Sequence, residues 1–237
     1  MASSCDSRCD EHCERCNVTY KTGVGLYEQK RYQRAINHLK KTQNIPMSNY
    51  IMGIINYKGC IDNETKVIIE SNYETAFKYF KNGAEQGEPK SHYMLGSMYY
   101  IGDGIKKNIK KSIKWLTRSV DQDNTDAQTK LGEIYLLDKD EIKLAYKMFK
   151  KASEKQDTIA QYNLATMYLT ESRIENNYKE AFHLFKLAAN KEHINSMVNL
   201  GIMYFKGIDI KQNFEEAIKW YSKAAELNDR ESQFMMG

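Results

Sequence analysis

Four cysteines and a histidine stand close together near the start of the chain, in the run Cys5-Asp-Ser-Arg-Cys9-Asp-Glu-His12-Cys13-Glu-Arg-Cys16. Thiolates and imidazoles at short spacing are the usual ligands of zinc. A structural zinc site needs four of them converging on one point, about 2.3 Å from each sulfur, and generally arranges them as two knuckles with a spacer between. This run has neither spacer nor glycine turn. On a helix, positions 5, 9, 13 and 16 fall on one stripe whose ends lie about 16 Å apart, too far for one ion. Reduced cysteine also packs as a small hydrophobe. Two kinds of reading therefore stand side by side. One is an apolar seam of a short N-terminal helix, or a disordered tail. The other is a lipid site or a zinc half-site at Cys13 and Cys16, joined by Cys9 or His12 and completed by another chain.

Other residue types with chemical potential do not assemble into motifs. The five histidines form no catalytic spacing with Ser, Cys or Asp. Gly23-Val-Gly25 lacks the Gly-Lys-Ser/Thr that would make a phosphate loop. Gly102-Asp-Gly104 precedes Lys106 and Lys107, but it reads as a turn between helices. Asp121-Gln-Asp123 opens like a calcium loop, yet Asp126 stands where glycine must turn and Gly132 where a bidentate Glu belongs. Lys106, Lys107, Lys110, Lys111 and Lys114 form the densest basic run. Such a run is a solvated helix face or a contact for an acidic partner.

The bulk of the chain must position whatever function there is. Of 237 residues only two are proline, which favours a helical chain because Pro breaks helix interiors. A net charge of +4 is too weak for a nucleic-acid binder. No apolar stretch approaches a membrane span of about 20 residues. The N-terminus lacks the charged start and apolar centre of a signal peptide. These features set the expectation of a cytoplasmic protein in a reducing compartment, where disulfides are rare.

The body repeats itself. The phrase SHYMLGSMYYIG at Ser91 returns at Ala127, Ala160 and Ser196, more weakly at Ser48, and is cut off at Ser232. Its anchors Met52, Leu95, Leu131, Leu164, Leu200 and Met236 are 43, 36, 33, 36 and 36 residues apart. A second phrase lies between the copies, as AFKYFKNGAEQG at Ala76 and AIKWYSKAAELND at Ala217. Both phrases put small and bulky residues on one face of a 3.6-residue helix. The unit is thus a helix pair, A then B. Ser91, Ala127, Gly96 and Gly132 belong where two helices approach closely. Each pair buries its stripe only against its neighbours, so the array is a solenoid.

Leu200-Gly-Ile-Met-Tyr204-Phe-Lys-Gly207, continuing to Asn213-Phe-Glu-Glu-Ala217-Ile-Lys-Trp220, resembles the Sel-one-like repeats, a subfamily of tetratricopeptide-type helix pairs. The resemblance covers residues 48–237, with the last unit truncated. Residues 18–47, through Gly23 and Tyr32-Gln-Arg-Ala35-Ile36, look like an ordinary tetratricopeptide pair, and residues 1–17 form a Cys-rich segment. Departures are Ala165 for the family glycine, Asn56 for the family tyrosine, and an insertion at residues 62–71. The resemblance implies an all-α, right-handed superhelical solenoid of antiparallel helix pairs.

It also implies a non-catalytic adaptor holding a protein or peptide in the concave groove lined by helix A. On that helix, the residues two before and five after each anchor fall away from the packing stripe. They read Tyr50, Tyr93, Thr129, Tyr162, Val198 and Tyr57, Tyr100, Leu136, Leu169, Phe205. Tyr50, Tyr57, Tyr93, Tyr100, Tyr162 and Phe205 are the candidate partner-binding residues; the competing reading buries part of this row between repeats. Two further functions stay open: a metal or redox protein working through the cysteine run, and a ligase-associated regulatory adaptor. No cofactor is expected, zinc at the cysteines excepted.

Overall fold

The computed structural model describes residues 14–137, 141–171 and 177–227. Among them are twelve α-helices: α1 (Glu14–Glu28), α2 (Tyr32–Leu39), α3 (Pro46–Lys58), α4 (Tyr73–Glu85), α5 (Pro89–Ile101), α6 (Ile109–Asp121), α7 (Thr125–Leu137), α8 (Ile142–Glu154), α9 (Thr158–Thr170), α10 (Tyr178–Ala189), α11 (Ile194–Lys206) and α12 (Phe214–Glu226). The chain divides into two compact units, Met1–Ala127 and Gln128–Gly237.

Odd-numbered helices from α3 onward are the A helices and even-numbered ones the B helices. Each A helix opens with a small residue that is fully buried: Ser48, Ser91, Ala127, Ala160 and Ser196. The anchor four positions on, Met52, Leu95, Leu131, Leu164 or Leu200, is buried as well. The next position is a contact point with the following B helix. A Cβ on Gly96 would stand 2.7 Å from Leu116 Cγ, and one on Gly201 2.5 Å from the Tyr221 ring. Glycine is required there because the B-helix side chain occupies the space a Cβ needs. The same clearance recurs at Gly53 against Phe80 and Gly132 against Phe149. In the first pair, Gly23 lets α1 approach Leu39 of α2.

The connections are as regular as the packing. Asn72, Asn108, Asn177 and Asn213 cap four of the five B helices, each side-chain oxygen accepting the amide hydrogen three residues on, while Glu141 before α8 makes no such bond. The capping residue's own amide donates back to helix A, from Asn108 to Tyr99 (2.7 Å) and from Asn213 to Tyr204 (3.0 Å). The B helices close with a residue in left-handed conformation, namely Gly87, Asp123, Gln156 and Glu192. The amide that follows each reaches back to the last turn, as from Asp157 to Ala152 (3.1 Å), which is the Schellman arrangement.

The insertion is a feature the all-helical reading did not foresee. It forms a small antiparallel ladder, β1 (Cys60–Ile61) with β2 (Ile68–Ile69), pairing Cys60 with Ile69 and Ile61 with Ile68. Asp62 follows β1 and is 1% exposed. Its carboxylate accepts the amides of Thr65 (2.7 Å), Gln33 (2.8 Å) and Glu64 (3.0 Å) and the Thr65 hydroxyl (2.9 Å). The Thr65 amide first, then that of Gln33, hold this carboxyl down at about 2 despite burial. Gln33 lies in the first turn of α2, whose own N-cap residue, Arg31, makes no capping bond. The insertion therefore caps a helix that precedes it by some thirty residues.

Buried side chains form one cluster around Leu39, Met52 and Ile55 and another around Ile54, Phe80 and Met98 in the first unit. In the second unit a larger cluster runs through Phe149, Leu164, Phe185, Leu200 and Trp220.

Candidate protein-binding face

The row of A-helix residues is neither wholly surface nor wholly core. In the first unit, Tyr50, Tyr57, Tyr93 and Tyr100 are all half-buried. The Tyr50 ring lies 6.1 Å from Phe80, with the Lys90 ammonium 5.7 Å from its centroid. Burial first, then the neighbouring Tyr27 and the Glu88 carboxylate, push its phenol up. Tyr57 packs against Phe80 and Tyr73, and its hydroxyl donates to Asp103 at 2.6 Å. Burial, then that hydrogen bond and the charge behind it, raise its phenol well above the ordinary value. Asp103 sits in the turn between Gly102 and Gly104, both at positive φ, so the glycines aim the carboxylate that holds Tyr57. Lys107 lies 4.9 Å above the Tyr100 ring.

The equivalent positions of the second unit differ. Thr129 and Val198 are buried, and the Thr129 hydroxyl donates to Asp157 at 3.0 Å. Tyr162 lies against Phe185 at 6.0 Å and His193 at 4.8 Å. Leu136 and Leu169 are half-buried aliphatics. Phe205 is 44% exposed and edge-on to Phe214 at 5.5 Å.

The A-helix residue before this second row has a separate role that its spacing alone did not reveal. Tyr99 stands edge-on to Phe77 of the preceding B helix at 5.8 Å, and Tyr204 to Phe182 at 5.4 Å. Tyr168 repeats the arrangement with Tyr146, with hydroxyl oxygens 3.0 Å apart. In each case the two positions are twenty-two residues apart, so a period search between B and next-A phrases would have found the pairs. Edge-to-face contacts of this kind add about 0.5–1.5 kcal/mol beyond buried area. They join one repeat to the next, leaving the row beside them to face elsewhere. Tyr27 of α1 is the other aromatic that recurrence could not reveal, because α1 lies outside the repeated phrases; it packs into both core clusters of the first unit.

Cys9, His12 and Cys13 lie outside the described residues. Cys16 is buried at the start of α1 and disulfide-bonded, against the expectation of reduced cysteines, and in that form it has no thiolate to offer a zinc ion. Among the described residues no cluster of His, Cys, Asp and Glu has metal-binding geometry. No described helix is long and apolar enough to cross a membrane. The cut-off copy at Ser232 and the turns at residues 138–140 and 172–176 are also outside the described residues.

Antiparallel helix pairs with small residues at every crossing and capped A-to-B turns define a helical repeat protein of the tetratricopeptide type. More narrowly, the chain belongs to the Sel1 repeat family, whose model matches residues 66–88, 89–124, 125–157, 158–193 and 194–229. It is 28% identical over 157 residues to an uncharacterized protein of Neisseria meningitidis serogroup B, spanning 65% of this chain and 31% of that one. It is 43% identical over 61 residues to a sel1-like repeat-containing protein of Acanthamoeba polyphaga mimivirus, spanning 26% of this chain and 10% of that one. The matches thus span under a third of the length of these curated relatives.

Among solved structures, the fold is similar to a Sel1 repeat protein from Oxalobacter formigenes, with TM-score 0.80, 24% identity, and coverage of 92% and 86% of the two chains. It is equally similar to a protective antigen of uropathogenic Escherichia coli displaying an SLR fold, with TM-score 0.80, 22% identity and coverage of 93% and 48%. The chain is therefore an all-α solenoid of a family that is generally non-catalytic and typically serves as a protein–protein interaction scaffold.

Proposed function

We propose that this protein is a non-catalytic adaptor that holds a protein or peptide partner on the helix-A face of its first unit. The observation that carries this reading is the group of four half-buried tyrosines, Tyr50, Tyr57, Tyr93 and Tyr100, on two A helices, α3 and α5. Tyrosine supplies large, stiff contact area with a polar tip, and it is enriched among residues that dominate interfaces. Tyr57 is held in place by Asp103, so part of the surface is ordered before a partner arrives.

The test begins with affinity capture from the native cell by the full chain, the partner being identified by mass spectrometry. Replacement of Tyr93 and Tyr100 together by Ala then weakens that partner's binding at least tenfold, as expected of hot-spot residues. Circular dichroism stays unchanged. Loss of helicity instead would assign both tyrosines to the core, and undiminished binding would move the site elsewhere.

A further inference from the structure

Residues 104–120 contain no acidic side chain and six basic ones: Lys106, Lys107, Lys110, Lys111, Lys114 and Arg118. The whole chain carries only +4, so the rest of it is net acidic. All six are exposed, and none pairs with a carboxylate among the described residues. Lys110, Lys111, Lys114 and Arg118 fall within about 100° of the α6 circumference, opposite the buried Ser112, Leu116 and Ser119. They extend about 12 Å along the axis, the span of about four residues of extended chain.

This concentration works against the helix that carries it. Lys110 and Lys111 occupy the first turn of α6, at the positive end of the helix dipole, where cations are unfavourable. The corresponding position after the Asn cap is Glu180 in α10 and Glu216 in α12. Three of the cations are also held down on aromatic rings: Lys107 over Tyr100 at 4.9 Å, Lys111 over Tyr99 at 5.3 Å and Arg118 over Trp115 at 4.6 Å. Trp115 is further stacked with His92 at 5.5 Å. Anchored stems lose less freedom when a ligand docks.

We infer that the exposed face of α6, with Lys107 beside it, is a docking surface for an acidic peptide segment of a partner protein. The choice of protein over nucleic acid follows from the rings. Single-stranded nucleic acid binds basic grooves by stacking bases on aromatic faces, and these faces already carry cations. The choice over a membrane follows from the apolar residues. An interfacial helix buries its apolar face in lipid, whereas that of α6 is buried within the protein. This surface meets the tyrosine face only where Lys107 lies over Tyr100, and its test leaves all four tyrosines in place.

The test uses the full chain and three probes: a fluorescein-labelled Glu/Asp-rich peptide, a single-stranded oligonucleotide of matching length, and phosphatidylserine vesicles. Lys110→Glu with Lys111→Glu is compared with Lys150→Glu with Lys151→Glu on α8, which changes net charge equally and likewise removes a lysine from a tyrosine ring. The peptide is expected to bind the native chain, and to be released as salt shortens the Debye length from about 10 Å to about 3 Å. The α6 variant should bind about tenfold more weakly and the α8 variant within about twofold of native. The melting temperature of the α6 variant should hold or rise by about 2–4 °C, because it acquires the acidic first turn of its sister helices. Absence of peptide binding, equal loss in both variants, or tighter binding of oligonucleotide or vesicle through the same lysines would overturn the assignment.

Discussion

At four positions where the A helices α3 and α5 of the first unit show half-buried phenols, the second unit substitutes a buried Thr129, a buried Val198 and the aliphatic Leu136 and Leu169. Tyr162 and Phe205 keep their rings, but Tyr162 is taken up by Phe185 and His193, and Phe205 by Phe214. The two units share the same crossings, caps and left-handed turns. The repeated scaffold and the recognition surface are therefore written in different residues. The scaffold positions are those where geometry admits only glycine or, at Ala165 of α9, alanine, while the row beside them is where the repeats diverge.

The comparison can be tested first at the positions the units share. Gly96→Val in the first unit and Gly201→Val in the second should each cost about 1–3 kcal/mol in urea denaturation, since the new side chain must displace Leu116 or Tyr221. A free substitution at Gly96 would break the idea of a common clearance. Binding comes next. Against the captured partner, Phe205→Ala in the second unit should leave affinity within about twofold, against the tenfold loss expected for the tyrosine pair of the first unit.

The inter-repeat staples give a smaller contrast. Tyr168→Phe removes the hydroxyl contact to Tyr146 and should cost about 1 kcal/mol, while Tyr204→Phe, which keeps its ring contact with Phe182, should cost under about 0.5 kcal/mol. In the first unit the raised phenol of Tyr57 favours the folded state fully below the ordinary tyrosine value of about 10, and that contribution is lost as pH rises beyond it. Asp62 acts at the other end of the scale. Its carboxyl is lowered, so its contribution is present above about 4 and is lost as pH falls towards about 2. Thermal melts of native chain and Asp62→Asn should converge in that acid window. The smallest effect is a gain. Gln156 holds a left-handed φ of 64° at the close of α8, and Gln156→Gly should stabilise by about 0.5 kcal/mol.

Most of the scaffold was legible because it repeats. Small residue, anchor, glycine and aromatic recur at fixed phase, and each recurrence reports the same crossing, so α3 to α12 could be placed from spacing. What occurs once was harder to read. The ladder at Cys60–Ile61 and Ile68–Ile69 is flagged locally only by β-branched residues around Asp62-Asn63-Glu64-Thr65, and the partner of Asp62 is a backbone amide, which no residue type announces. Likewise the basic run was visible as charge. That Tyr99 and Tyr100 lie under its cations depends on how α5 meets the residues around α6, and that is a fact of packing. The candidate face was legible as a row but not in its unevenness, because burial at Thr129 and Val198 is decided by neighbours rather than by position.

The bond from the Gln33 amide to Asp62 sets an order of events on the ribosome. Helix α2 leaves the exit tunnel with no capping side chain of its own, and the carboxylate that completes it is synthesised twenty-nine residues later. Until residues 62–65 have emerged and turned back, the first turn of α2 stays frayed. The first helix pair is therefore weaker as an independent N-terminal module, by about the 0.5–2 kcal/mol that a missing helix cap costs. Its α2 is completed only together with α3 and the hairpin, so a nascent chain with α2 outside the tunnel but residues 62–72 still inside should show α2 open to protease, and one that has extruded residues 62–72 should show it closed.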